Sequence, residues 1–110
     1  MKKLLYYLDD EKMLCDLFKE IFESEKMEVS TFTKSDEFLE AIKLRTPDLC
    51  FIDFRLPGEN GEVVASRLET SIPKYLVTGD IDYTGSDYFI KVFNKPIQIP
   101  IIKEEINKYL

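Results

Sequence analysis

Apolar positions in this chain fall into short unbroken runs separated by stripes of helical spacing, and the two patterns take turns from one end to the other. The run LLYYL (4–8), bounded by charge, predicts a buried strand. In EKMLCDLFKEIFESEK (11–26), Met13, Leu14, Leu17, Phe18, Ile21 and Phe22 recur at helical spacing between acids and lysines. That spacing predicts an amphipathic helix whose stripe belongs to the core. MEVSTF (27–32) predicts a second strand, and Ser35 ahead of DEFLEAIKLR reads as an N-cap opening a second helix that stops before Pro47.

The alternation then repeats. DLCFID (48–53) predicts a third strand, NGEVVASRLET (60–70) a helix, KYLVT (74–78) a fourth strand and YFIKVF (88–93) a fifth. After Pro96, Ile101, Ile102, Ile106 and Leu110 give a last helical stripe, with Pro100 in its first turn. Strands alternating with helices through short connections predict right-handed crossovers and a parallel sheet covered on both faces, the doubly wound α/β class. One connection breaks the rhythm: GDIDYTGSDY (79–88) carries no helical stripe, so the fourth helix is expected to be short or missing.

Composition narrows the chemistry. A chain of 110 residues, 45% of them hydrophobic, predicts one domain over residues 1–110, with no output domain expected. A formal charge of -6 speaks against nucleic acid as a partner, because phosphate binding needs clustered Lys and Arg. No run is long enough for membrane insertion and the first residues do not form a signal peptide, so a cytoplasmic location is expected. Cys15 and Cys50 read as buried reduced thiols. The chain has no histidine, which removes His-based acid–base chemistry and His metal ligation; a metal here must be held by oxygen.

Ligands of doubly wound sheets bind beyond the carboxyl ends of the strands. The residues at those ends are Asp9 and Asp10, Asp53, Thr78 and Lys95. Taken singly, each has a plain reading: a helix N-cap with a first-turn acid for the Asp pair, a strand residue for Thr78, a solvated lysine for Lys95. Together they predict three carboxylates, a hydroxyl and an ammonium at one edge. Like charges raise one another's pKa, and a divalent cation relieves them. Mg2+ suits a site of few oxygen ligands completed by phosphate, and Asp53 is placed to act as a carboxylate nucleophile.

With the acid pair Asp9 and Asp10, the stretch DFRLPGENG (53–61), Thr78 in LVTG, and Lys95 with Pro96 in NKP, the chain resembles the receiver domains (CheY-like) of two-component response regulators over essentially its whole length. The resemblance implies a flavodoxin-like five-stranded sheet of order 2-1-3-4-5. It implies that Asp53 accepts a phosphoryl group from a sensor histidine kinase or phosphotransfer protein. Asp10, Asp53 and the backbone carbonyl of Arg55 would hold Mg2+, with Asp9 acting mainly through water. Thr78 and Lys95 would engage the phosphoryl group, across a cis bond between Lys95 and Pro96.

The aromatic that the family carries three positions before the lysine is Val92 here, with Phe93 directed to the opposite side of its strand. The 79–88 segment is therefore expected to carry the output by ordering. Arg55 and Asp80, two residues beyond Asp53 and Thr78, are expected to pair over the site and slow loss of phosphate. The leading expectation is a stand-alone phosphoacceptor switch, not an enzyme, that signals to a downstream protein target. The alternatives are a receiver-like interaction module working largely without phosphorylation and, with less weight, a phosphohydrolase.

Overall fold

The computed structural model describes residues 2–80, 83 and 86–110. The elements run β1 (Lys3–Leu8), α1 (Lys12–Phe22), β2 (Met27–Phe32), α2 (Ser35–Leu44), β3 (Leu49–Asp53), a small hairpin of β4 (Arg55–Leu56) and β5 (Glu59–Asn60), α3 (Gly61–Ser66), β6 (Lys74–Thr78), β7 (Lys91–Asn94) and α4 (Ile99–Asn107). The five long strands form one sheet in the order β2-β1-β3-β6-β7, parallel throughout. Setting the hairpin aside, this is the expected 2-1-3-4-5 order of the flavodoxin-like fold.

Strand period explains how two faces are buried at once. Leu5, Tyr7, Phe51, Tyr75 and Val77 point to one side, where α1 contributes Cys15, Phe18 and Phe22 and α4 contributes Ile102 and Ile106. Their strand neighbours Leu4, Tyr6, Leu8, Cys50, Ile52 and Leu76 point to the other, against Phe38 of α2 and Val64 and Ala65 of α3. Both cysteines are buried free thiols, as expected. One buried acid, Glu105, accepts from the Tyr75 hydroxyl at 2.7 Å and from Lys91 and Lys108 at 2.8 and 3.0 Å. Against the effect of burial, these donors hold its carboxyl down at about 2.

Several sequence expectations are corrected. Ser35 is not the N-cap of α2, which is Lys34 without a side-chain bond; the Ser35 hydroxyl instead donates to Glu59 Oε2 at 2.6 Å, tying α2 to the hairpin. Helix α1 ends at Phe22 because Ser24 and Met27 close a turn on each other. Its stripe divides: Phe18 and Phe22 enter the core, whereas Met13 is 84% and Leu17 50% exposed. Six apolar residues span more of the helix than one sheet face can cover. In α4 the same split leaves Ile101 half-exposed while Ile102 and Ile106 are buried, and Leu110, expected in the same stripe, lies beyond the helix and is half-exposed.

Helix α3 stops at Ser66, where Arg67 and Leu68 turn back onto Val64 and Ala65 through short-range bonds. The last strand begins at Lys91 rather than residue 88, because its register opposite Tyr75 leaves residues 88–90 ahead of the ladder. Between β6 and β7 no described residue is helical, and the expected output through 79–88 falls partly on residues 81, 82, 84 and 85, outside the described residues. No helix among the described residues is long and apolar enough to cross a membrane.

Candidate functional site

Each sequence-predicted residue sits at the carboxyl edge of the sheet. Asp9 follows β1 with its amide bonded to Phe32 O at 3.0 Å, Asp53 closes β3, and Thr78 closes β6. Lys95 follows β7, its amide donating to Thr78 O at 2.8 Å, and its bond to Pro96 is cis, as the resemblance implied. Asp9, Asp53 and Thr78 are buried, while Asp10 is exposed.

Lys95 Nζ lies 3.2 Å from both Asp9 Oδ2 and Asp53 Oδ1, bridging residues brought in from the two central strands. Burial works against its charge, but the two carboxylates outweigh that effect and raise its pKa. Burial, then the charge of Asp9, pushes the Asp53 carboxyl up to about 6 despite the ammonium beside it. Asp9, Asp10 and Asp53 each offer an oxygen, all within 4.8 Å of one another. Three carboxylates against one ammonium leave two uncompensated negative charges when all are ionised. A divalent cation with oxygen preference fits that set.

Thr78 Oγ1 accepts the Asp80 amide at 3.0 Å, which leaves the hydroxyl proton to donate elsewhere. Arg55 Nη2 lies 3.6 Å from Asp80 Oδ2, so the expected pair over the site is present, with Arg55 largely exposed. Val92 borders the face covered by α2 and α3, whereas Phe93 joins the opposite face beside Phe51 and Tyr75. The two side chains diverge as strand geometry predicts.

Tyr7 and Tyr83 were not read from the sequence, and Gly61 was read only as the last residue of the DFRLPGENG stretch, where the chain turns after Asp53. Tyr7 donates its hydroxyl to Asp9 Oδ2 at 2.7 Å; its position two before Asp9, on the same strand face, was the available signal. Gly61 lies beneath Asp53, donating its amide to Phe54 O at 2.7 Å. Tyr83 rests its ring 4.9 Å from that of Phe54 and donates to Glu62 Oε2 at 3.1 Å, linking the β6–β7 connection to the residue after Asp53. The sharp turn after Asp53 is a hairpin around Pro57 and Gly58; Gly58 has φ +77, the value that favours glycine after proline in a type II turn.

Comparison with known proteins bears on this arrangement. The phosphate regulon transcriptional regulatory protein PhoB of Rhizobium meliloti is 30% identical over 115 residues, covering 92% of this chain and 51% of its own length. Regulatory protein VanR of Enterococcus faecium is 27% identical over 120 residues, covering 99% of this chain and 52% of its own. The chain thus spans about half the length of the curated relatives it matches. Among solved structures, a CheY-like receiver domain from Methylobacillus flagellatus superposes with a TM-score of 0.89 at 20% identity over all of both chains. Response regulator TrrA of Thermotoga maritima, in complex with Mg(2+)-BeF, gives 0.87 at 24% identity, over 98% of this chain and 99% of that one. Residues 6–106 match the family model for the response regulator receiver domain, and the chain belongs to that family.

Proposed function

We propose that Asp53 accepts a phosphoryl group from a phosphohistidine on a sensor histidine kinase or phosphotransfer protein, and that the phosphorylated domain signals by contact with a downstream protein. The observation that carries this reading is the buried Asp53 carboxylate, 3.2 Å from the Lys95 ammonium and inside the three-acid cluster. Asp10, Asp53 and the backbone carbonyl of Arg55 would hold Mg2+, with Asp9 behind them. Bound there, the ion supplies charge neutralisation between the acids and the incoming phosphoryl oxygens.

In the transfer, an Asp53 carboxylate oxygen attacks phosphorus. The new O–P bond forms as the P–N bond to the donor imidazole breaks, and the departing nitrogen keeps the electron pair. Lys95 exchanges Asp53 for a phosphoryl oxygen, and Thr78 donates its proton to another. For the donor protein this domain offers a groove of about 210 Å³ lined by Leu14, Leu17, Ile21, Pro96 and Ile97, with Lys95 at its edge. Leu14 and Leu17, two apolar residues of α1 outside the core cluster, are thereby used. The net charge of -6 supports output through protein contact rather than nucleic acid at this domain, and a cytoplasmic location accompanies the reading.

Intact mass after incubation with acetyl phosphate and Mg2+ tests the proposal. One phosphoryl increment on the wild type and none on Asp53→Asn is the expected outcome. A second reading, an interaction module working largely without phosphate, is favoured by Val92 in place of the aromatic; no increment on either protein would select it.

The Arg55–Asp80 pair sets a further expectation. Two residues beyond Asp53 and Thr78, it would hinder water from reaching the acyl phosphate. An exposed pair is worth about 0 to 1 kcal/mol, so Arg55→Ala should lose its phosphate faster by a factor of up to about five. Dephosphorylation followed by mass after removing the donor measures this, and equal rates would refute it.

A further inference from the structure

We propose that Tyr7 is a positioning residue of the phosphoacceptor site, holding the Asp9 carboxylate in place for Mg2+ binding and keeping it satisfied when Lys95 turns to the phosphoryl group. The inference rests on the phosphoacceptor reading above.

Tyr7 is fully buried, and its ring lies flat on that of Phe18, with centroids 4.1 Å apart and planes 5° from parallel. The ring therefore has one resting orientation, and its hydroxyl donates to Asp9 Oδ2 at 2.7 Å. Packing alone does not call for that oxygen, because Leu5, Phe51 and Val77 fill equivalent places on the same face with hydrocarbon.

Asp9 is fully buried, so the supply of donors to its carboxylate can be followed atom by atom. Oδ1 accepts the Glu11 amide at 2.9 Å, and Oδ2 accepts Tyr7 and Lys95, the latter at 3.2 Å. Lys95 is shared with Asp53 and must leave this arrangement to engage a phosphoryl oxygen. With Tyr7 present, Oδ2 keeps a neutral donor after the cation has gone. With phenylalanine there, Lys95 would be the one protein donor to that oxygen among the described residues, and its release would strand a buried charged atom.

Partners that orient the residues around a metal commonly govern affinity as strongly as some ligands do. Tyr7→Phe keeps the ring and its stacking while deleting the donor. Isothermal titration of metal-free protein with MgCl2 should show affinity about ten-fold weaker than in the wild type. Tyr75→Phe is the control: it deletes another buried hydroxyl bonded to a carboxylate, that of Glu105, and belongs to neither the metal nor the phosphoryl machinery. It should lower the melting temperature yet leave Mg2+ affinity within about two-fold of wild type, well inside the change expected for an orienting partner. Equal Mg2+ affinity in wild type and Tyr7→Phe would overturn the inference alone. A wild type that binds no Mg2+ would overturn the phosphoacceptor reading and this inference together.

Discussion

In EDTA at pH 7, Asp53→Asn is expected to be more stable than the wild type. Asp53 is 4% exposed and its carboxyl is pushed up to about 6 by burial and by Asp9. The ordinary value of an aspartic acid in the unfolded chain is 3.8, so folding favours the protonated acid. The sign follows: each step in pH from about 3.8 toward about 6 costs the folded state free energy, and above that range the full penalty applies. At 1.36 kcal/mol per unit, and allowing for relaxation around the charge, the penalty at pH 7 is about 1–3 kcal/mol. Asparagine keeps the shape and removes the charge. Its melting temperature should lie about 5–15 °C above wild type at pH 7, with the gap closing as pH falls toward 4. Saturating Mg2+ should shrink or reverse the gap, because only the wild type keeps all three carboxylates. A variant less stable than wild type in EDTA at pH 7 would contradict this account of the site.

That destabilised acid is the kind of feature a sequence discloses. Three acids at strand ends have no packing purpose, and strand alternation fixes which edge they share. The same logic made Thr78 and Lys95 legible; short crossovers gave the parallel sheet, and the strand order came with the resemblance to receiver domains. Where several solutions satisfy the same pattern, the reading failed. Phe89 is buried whether residues 88–90 belong to a strand or precede it; the register opposite β6 decides, and register is a property of two strands. Ser35 fits a cap by type, but Glu59, 24 residues on, competes for its hydroxyl. The α1 stripe shows six apolar residues without saying that Phe18 and Phe22 are the two that become buried. Tyr7 reads as one more apolar strand residue until the distance to Asp9 reveals what its oxygen is for.

Gly61 is the other position where a small change should have a large effect. A Cβ placed there would stand 2.4 Å from the Asp53 carbonyl oxygen and 2.9 Å from Ile52 Cγ2. The first neighbour is main chain of the phosphoacceptor residue and cannot rotate aside. It can yield only if the start of α3 backs away from β3 or the end of β3 shifts. Both movements disturb the bond from Gly61 N to Phe54 O and the placement of Asp53 against Lys95. Overpacking a rigid contact costs about 1–3 kcal/mol or more, so Gly61→Ala should melt roughly 5–20 °C below wild type. A displacement on the scale of 1 Å at the nucleophile should slow phosphoryl uptake from acetyl phosphate by about ten- to a hundred-fold. Gly58→Ala separates the two effects. A Cβ at Gly58 meets nothing within 4 Å, and its penalty comes from φ +77 alone, about 1–2 kcal/mol, at a turn that does not touch Asp53. It should lose stability while keeping uptake close to wild type. If Gly61→Ala took up phosphate at the Gly58→Ala rate, the close approach of α3 to β3 would be packing alone, without a part in aiming Asp53.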